Sequence, residues 1–230
     1  MRILLKLTGE LFGTKDNLIS LLNTKKVAQE IIELKNKEIE LGIVVGGGNI
    51  FRGREVGTEK FDKVSADYIG MLATIINGLA LQESLKNLGA KAKMLTAIPM
   101  SKIGESFTKA KALSYLNKNK IVIFAGGTGN PFFTTDSAAA LRSIEVEAEI
   151  LIKATDVDGI YDSDPKKNPN AKLYKKISYH EVLEKQLRVM DLTAITLCQE
   201  NSCKIAILNL NKQGNLTKFI CGENIGSLVL

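Results

Sequence analysis

Short apolar runs alternate along the chain with longer stretches in which apolar residues recur every three or four positions. The short runs predict buried strands at residues 2–7, 43–45, 91–95, 121–125 and 149–153. The longer stretches predict helices around residues 25–41, 65–88, 106–117 and 137–147. Strand–helix alternation of this kind builds a mostly parallel sheet with helices on both faces, a three-layer α/β/α open sheet. After Ala154 the pattern changes. Residues 156–172 are polar and hold two of the four prolines, and helices near 179–185 and 192–201, a strand at 204–210 and a short terminal strand at 227–230 follow. The expected organisation is a single domain whose first lobe, residues 1–153, and second lobe, residues 154–230, share one sheet.

The chain has 230 residues, 45% of them hydrophobic, enough for a sizeable core. Its net charge of +6 is spread among mixed acidic and basic positions, a poor footprint for a dedicated nucleic-acid binder and a reasonable one for anionic substrates. Cys198, Cys203 and Cys221 are odd in number and lack CxxC spacing, and His180 is the single histidine, so neither a disulfide framework nor a zinc site follows. The longest apolar segment, residues 68–81, is shorter than the ~20 residues of a bilayer helix and is interrupted by Thr74 and Asn77. With an N-terminus that runs directly into a strand, without a signal-peptide layout, this predicts a cytoplasmic protein with no membrane binding.

Candidate chemistry lies in four loops at the carboxyl ends of predicted strands, where open α/β sheets place their ligands. The most informative follows the strand 121–125: Gly126-Gly127-Thr128-Gly129-Asn130-Pro131-Phe132-Phe133-Thr134-Thr135-Asp136. Its glycines let backbone approach an anion, its threonine hydroxyls and the following helix amides offer donors, and Asp136 adds one carboxylate. Lys6-Leu7-Thr8-Gly9 presents a lysine beside a flexible turn, able to reach phosphate as a point charge. Gly46-Gly47-Gly48-Asn49-Ile50-Phe51-Arg52-Gly53 can form an anion nest with a guanidinium beside it. It is neither a Walker A loop nor a GxGxxG dinucleotide site. The fourth loop runs from Lys153 through Thr155, Asp156, Asp158, Tyr161 and Asp164 to Pro165. It lacks EF-hand spacing, and its tyrosine, hydroxyls and carboxylates suit a base and ribose. This inventory of anion nests and strand-end lysines, without an evident nucleophile–base pair, fits phosphoryl transfer, which asks mainly for positioning and charge neutralisation.

The same residues carry a resemblance over essentially the whole chain. Residues 3–10, 46–53, Asp67 with 70–74, the loop 128–136, the segment 153–165 and Val189-Met190-Asp191 are similar to the bacterial uridylate (UMP) kinases of the amino acid kinase superfamily. The resemblance implies the carbamate kinase-like fold of that superfamily and transfer of the γ-phosphoryl group of ATP to UMP. Under it, Lys6, Leu7, Thr8, Gly9, Gly48 and Arg52 contact ATP phosphates, and Thr155, Tyr161 and Asp164 hold the nucleoside end of ATP. Gly47, Asp67, Thr128, Gly129, Asn130, Pro131, Phe132, Phe133, Thr134 and Thr135 bind UMP. Asp136 orients Lys6, the charge on the transferred group, and Lys153 adds charge on the donor side. It further implies magnesium carried with ATP, inhibition by UTP, and a homohexamer built as a trimer of dimers paired through the helix at 65–88. One departure stands out: residues 13–20 replace a segment that many members associate with GTP activation, so GTP is expected to change the rate little. The competing readings are a superfamily kinase acting on carbamate or acetylglutamate, and a nucleotide sensor without turnover.

Overall fold

The computed structural model describes residues 1–35, 37, 39–52, 61–187 and 189–230. Strand β1 (Arg2–Leu7) is followed by a short 3-10 turn at Gly9–Phe12, helix α1 (Leu21–Lys35) and strand β2 (Glu40–Val45). Next come α2 (Lys63–Asn87), β3 (Ala92–Thr96), β4 (Glu105–Ser106), α3 (Lys109–Asn117), β5 (Ile121–Ala125), α4 (Thr135–Glu145) and β6 (Ile150–Thr155). The remainder consists of β7 (Ile160–Tyr161), β8 (Leu173–Tyr174), β9 (Lys176–Ile177), α5 (Tyr179–Glu184), α6 (Leu192–Glu200), β10 (Ile205–Asn209), α7 (Asn215–Ile220) and β11 (Ser227–Val229).

Among the described residues, nine strands form one sheet in the order β4-β3-β5-β2-β1-β6-β10-β11-β9, with β7 and β8 paired separately. Within the large sheet only the β10–β11 pair is antiparallel among the described pairings. Strands after residue 153 thus extend the sheet begun by those before it. Alternation along β1 sorts the core: Ile3, Leu5 and Leu7 face α1, α2 and α7, whereas Leu4 faces α3 through α6. All four are fully buried, as expected for a parallel strand covered on both faces.

Three boundaries differ from the sequence pattern. The helix expected over 25–41 starts at Leu21 and ends at Lys35, because Leu41 pairs with Ile3 in the sheet. Residues 105–106 form an edge strand on β3, so α3 starts only after Thr108, whose hydroxyl caps the Lys111 amide at 3.2 Å. Helix α2, at 25 residues, exceeds the apolar run within it and has the length and composition of a bilayer span. One of its faces, with Ala73, Ile75, Leu81 and Leu85, is buried, whereas Ile69, Leu72, Ile76 and Leu79 are exposed.

Candidate active site

Lys6 and Lys153 are register partners on the neighbouring parallel strands β1 and β6. Their side chains therefore leave the sheet on the same face, the one on which Leu4 and Leu151 pack beneath α4 and α6. Two adjacent ammonium groups repel, and Asp136 resolves this by standing between them. Its Oδ1 lies 2.8 Å from Lys6 Nζ, an ion pair made off the hydrogen-bond direction. Its Oδ2 accepts a hydrogen bond from Lys153 Nζ at 2.7 Å, and the same ammonium donates to the Val189 carbonyl at 2.7 Å. The Lys6 and Asp136 side chains are 8% and 13% exposed. Burial alone would push the Asp136 carboxyl up; the charges of Lys6 and Lys153 and the hydrogen bond from Lys153 outweigh it and hold the group below the usual carboxylate range. Burial presses the Lys153 ammonium down, Asp136 opposes this, and the neighbouring Lys6 charge adds to the lowering.

The start of α4 fixes Asp136. Thr134 Oγ1 accepts from the amides of Asp136 and Ser137 at 3.0 and 3.3 Å, and a carboxylate in this first turn faces the positive end of the helix. Asp191 latches this turn to α6. It caps α6 by accepting from the Ala194 amide at 2.8 Å, accepts from the Ser137 hydroxyl at 3.0 Å, and receives the Thr134 hydroxyl as well.

The loop between β5 and α4 leads into the α4 turn that holds Asp136. Gly126, Gly127 and Gly129 adopt left-handed backbone with φ of 82°, 60° and 83°, a conformation that glycine takes without strain. The Gly126 amide donates to Thr74 Oγ1 on α2 at 2.8 Å. The Asn130 amide donates to Thr128 Oγ1 at 3.1 Å. The Phe132 amide donates to Asp67 Oδ2 at 2.7 Å, and Asp67 also pairs with Lys63. Asp67, Thr128, Gly129, Asn130, Pro131, Phe132, Phe133, Thr134 and Thr135 are thereby gathered on one side, with both phenylalanine rings exposed.

The loops after β1 and β2 meet each other and α2. A Cβ on Gly9 would lie 2.6 Å from the Gly48 nitrogen, and one on Gly47 would lie 2.8 Å from Ala73 Cβ, so the two loops and α2 meet at distances that only glycine allows. Asn77 of α2, fully buried, donates to the Gly46 carbonyl at 2.8 Å and to Asn49 Oδ1 at 2.7 Å. Leu7 turns its side chain into the core and gives its carbonyl to the Gly46 amide at 2.8 Å, so its side chain and carbonyl are already engaged. Arg52 lies at the rim, donating to the Gly48 carbonyl at 3.0 Å and to Glu10 Oε1 at 2.7 Å. Gly53 falls outside the described residues.

A cleft of about 600 Å³ opens beside the cluster. Thr155, Tyr161 and Asp164 line it together with Val189 and Lys153. Lys153 thus belongs to both the cluster and the cleft. Sequence reasoning gave no role to Asp191, Thr74 or Asn77. The signal for the last two was present: a hydroxyl and an amide inside the most apolar helix of the chain, where a buried polar group has to find a partner.

Two buried ammonium groups on one carboxylate leave a net positive charge at the carboxyl ends of parallel strands, flanked by glycine loops. Such a constellation defines a phosphate-handling α/β protein of the phosphoryl-transfer class. The model of the amino acid kinase family matches residues 1–209, and the chain belongs to that family. It is 47% identical to a uridylate kinase of Methylococcus capsulatus over 230 residues, covering all of this chain and 96% of that protein. It is 49% identical to the chloroplastic uridylate kinase PUMPKIN of Arabidopsis thaliana, covering 99% of this chain and 68% of the plant protein. The fold superposes on the UMP kinase of Bacillus anthracis with a TM-score of 0.96 at 35% identity, covering 99% and 95% of the two chains. For the UMP kinase of Ureaplasma parvum the TM-score is 0.94 at 37% identity, covering 99% and 97%. Within the amino acid kinase family, the chain groups with the uridylate kinases.

Proposed function

We propose that the chain transfers the γ-phosphoryl group of ATP to UMP, giving UDP and ADP, and so serves pyrimidine nucleotide synthesis. The observation that carries this reading is Asp136 holding Lys6 and Lys153 together at the edge of the cleft lined by Thr155, Tyr161 and Asp164. UMP lies against Asp67 and Thr128–Thr135, its ribose hydroxyls on Asp67 and its phosphate near the threonines and the first turn of α4. The nucleoside of ATP occupies the cleft lined by Thr155, Tyr161 and Asp164. The triphosphate runs from there over Lys153 toward Lys6 and the amides of Thr8, Gly9 and Gly48, with Arg52 swinging from Glu10 onto it. Lys6 then neutralises the charge that develops on the transferred group, and Asp136 keeps that ammonium aimed rather than acting as a base. The first lobe, residues 1–153, would in this division hold UMP, and residues 154–230 the ATP nucleoside.

Magnesium enters this scheme with ATP. Asp136 already gives both oxygens to ammonium groups, and among the described residues no cluster of three or more His, Cys, Asp or Glu suits a metal. That donor set fits an ion held by phosphate oxygens and water rather than by a protein cage. When bound, the ion supplies charge neutralisation on the phosphates. UTP, which shares uridine with the acceptor, inhibits by occupying the UMP site, and GTP changes the rate little. Unpaired thiols at Cys198, Cys203 and Cys221 suit a reducing compartment such as the cytoplasm. The subunits gather as a hexamer of paired dimers, a reading supported by apolar side chains left exposed on α2.

Chromatography of a reaction containing ATP, magnesium and UMP tests the proposal: UDP and ADP form in equal amounts, and only when UMP is present. A chain that binds both nucleotides but forms no UDP would be a sensor instead.

A further inference from the structure

Cys198 and Cys203 sit together at the far end of α6, outside the site described above. The helix stops at Glu200, Ser202 takes a left-handed backbone with φ 51°, and the Cys203 amide donates back to the Cys198 carbonyl at 2.9 Å. This is a Schellman ending, in which the first and last residues of the turn pack side by side, and both cysteines lie in the same buried cluster. Cys203 Sγ also lies 3.3 Å from Ser143 Oγ on α4, and the Tyr179 hydroxyl donates to the Cys203 carbonyl, which pins the backbone there. The two sulfurs differ in access. Cys198 is fully buried, whereas Cys203 is 8% exposed and lines a cavity of about 400 Å³ beside His180 and Lys204. Hydrogen bonds from the Cys198 thiol, working against burial and helped by Ser143 and the Leu151 amide, hold the Cys203 thiol below its ordinary range. The Cys198 thiol is pushed up by its hydrogen bond to Cys203 and by burial. A cysteine at the edge of a cavity packed against a second cysteine is the arrangement in which cysteine oxidation stops reversibly at a disulfide.

We propose that Cys203 and Cys198 form a hydroperoxide-reactive dithiol, with Cys203 the attacked sulfur and Cys198 the resolving one. The Cys203 thiolate attacks the terminal oxygen of a hydroperoxide: the O–O bond breaks, an S–O bond forms, and the departing alkoxide or hydroxide takes a proton and leaves as alcohol or water. The resulting sulfenic acid is attacked by the Cys198 sulfur. The S–O bond breaks, the S–S bond forms, and the hydroxyl leaves as water with the Cys198 proton. Two electrons pass from the sulfur pair to the peroxide. The disulfide closes a loop of four intervening residues, joining the last turn of α6 to the start of β10. The opposite end of α6 is capped by Asp191, which holds the first turn of α4, so Cys198 lies on a helix tied at its other end to the turn that carries Asp136.

The test uses the full chain, reduced and then treated with hydrogen peroxide at low molar excess. The tryptic segment 189–204 contains both cysteines, and Glu200 lies between them. The proposal expects this segment to lose two hydrogens in mass, and its halves to stay joined after cleavage at Glu200 until a thiol reductant is added. In Cys198→Ser, dimedone labels Cys203; in Cys203→Ser, or in Cys203→Ala should the serine variant fold poorly, Cys198 stays reduced. Oxidation confined to the exposed Cys221, dimedone labelling of Cys198 rather than Cys203, or a Cys203 sulfenic acid that persists in the wild-type chain would each overturn it.

Discussion

At the scale of single residues the account rests on charge placed where phosphate has to pass. Lys6 is held at 2.8 Å from Asp136 in a nearly dry setting, where an ammonium interacts far more strongly than in water. Lys6→Ala is expected to lower kcat by about 10²-fold or more, as for loss of a group aimed at developing charge; steady-state kinetics with a near-wild-type kcat would remove Lys6 from that role. The cluster also sets a pH window. The folded Asp136 carboxyl titrates below its unfolded value, so the stability it contributes is present above the ordinary carboxylate range and is lost as pH falls through its depressed folded pKa. The Lys153 ammonium is depressed as well, so turnover should begin to fall at an alkaline pH below the usual lysine value of about 10.4. A pH profile of kcat at saturating substrates checks this, with Lys153→Arg, whose guanidinium does not titrate, losing the alkaline limb; an unchanged limb in that variant would assign it to another group. Lys6, Asp136 and Lys153 were each legible as strand-end or loop residues, but their meeting was not. It depends on β1 and β6 lying side by side, an order that no local pattern encodes.

Among the elements, α2 does more than cover the sheet. Its two polar interruptions each hold a glycine loop, Thr74 through the Gly126 amide and Asn77 through the Gly46 carbonyl and Asn49. Asn77→Leu would strand those partners, and urea denaturation should show a loss of about 1–3 kcal/mol, the cost of leaving buried polar groups unsatisfied. An unchanged midpoint would mean that water replaces the amide. Hydrophobic periodicity located every long helix and every central strand. It ran α1 too far because Leu34 and Leu41, seven apart, satisfy one helical face, and only the pairing of Leu41 with Ile3 decides for a strand. The two-residue strands β4, β7, β8 and β9 are too short to carry a period. The polar segment 156–172 folds as the wall of a cleft, which its composition alone would leave as a loop.

For the whole molecule, the surface that remains to be explained lies on the outer side of α2. Ile69, Leu72, Ile76 and Leu79 remain exposed there, and Ile76 and Leu79 line an apolar groove of about 680 Å³ with Ile19 and Leu21. A stripe of this kind is expected to be buried between subunits. Light scattering should report about six times the chain mass, consistent with closed symmetric assembly, and Ile76→Asp should lower that mass or the solubility; a monomeric wild-type chain at micromolar concentration would contradict this. The central claim, that the Lys–Asp–Lys cluster serves phosphoryl transfer from ATP to UMP, is tested most directly by ADP release at fixed ATP and magnesium with UMP, CMP, dTMP, carbamate and acetylglutamate as alternative acceptors. The account predicts a kcat/KM for UMP well above that for every other acceptor, whereas equal or better turnover of any of the others would contradict it.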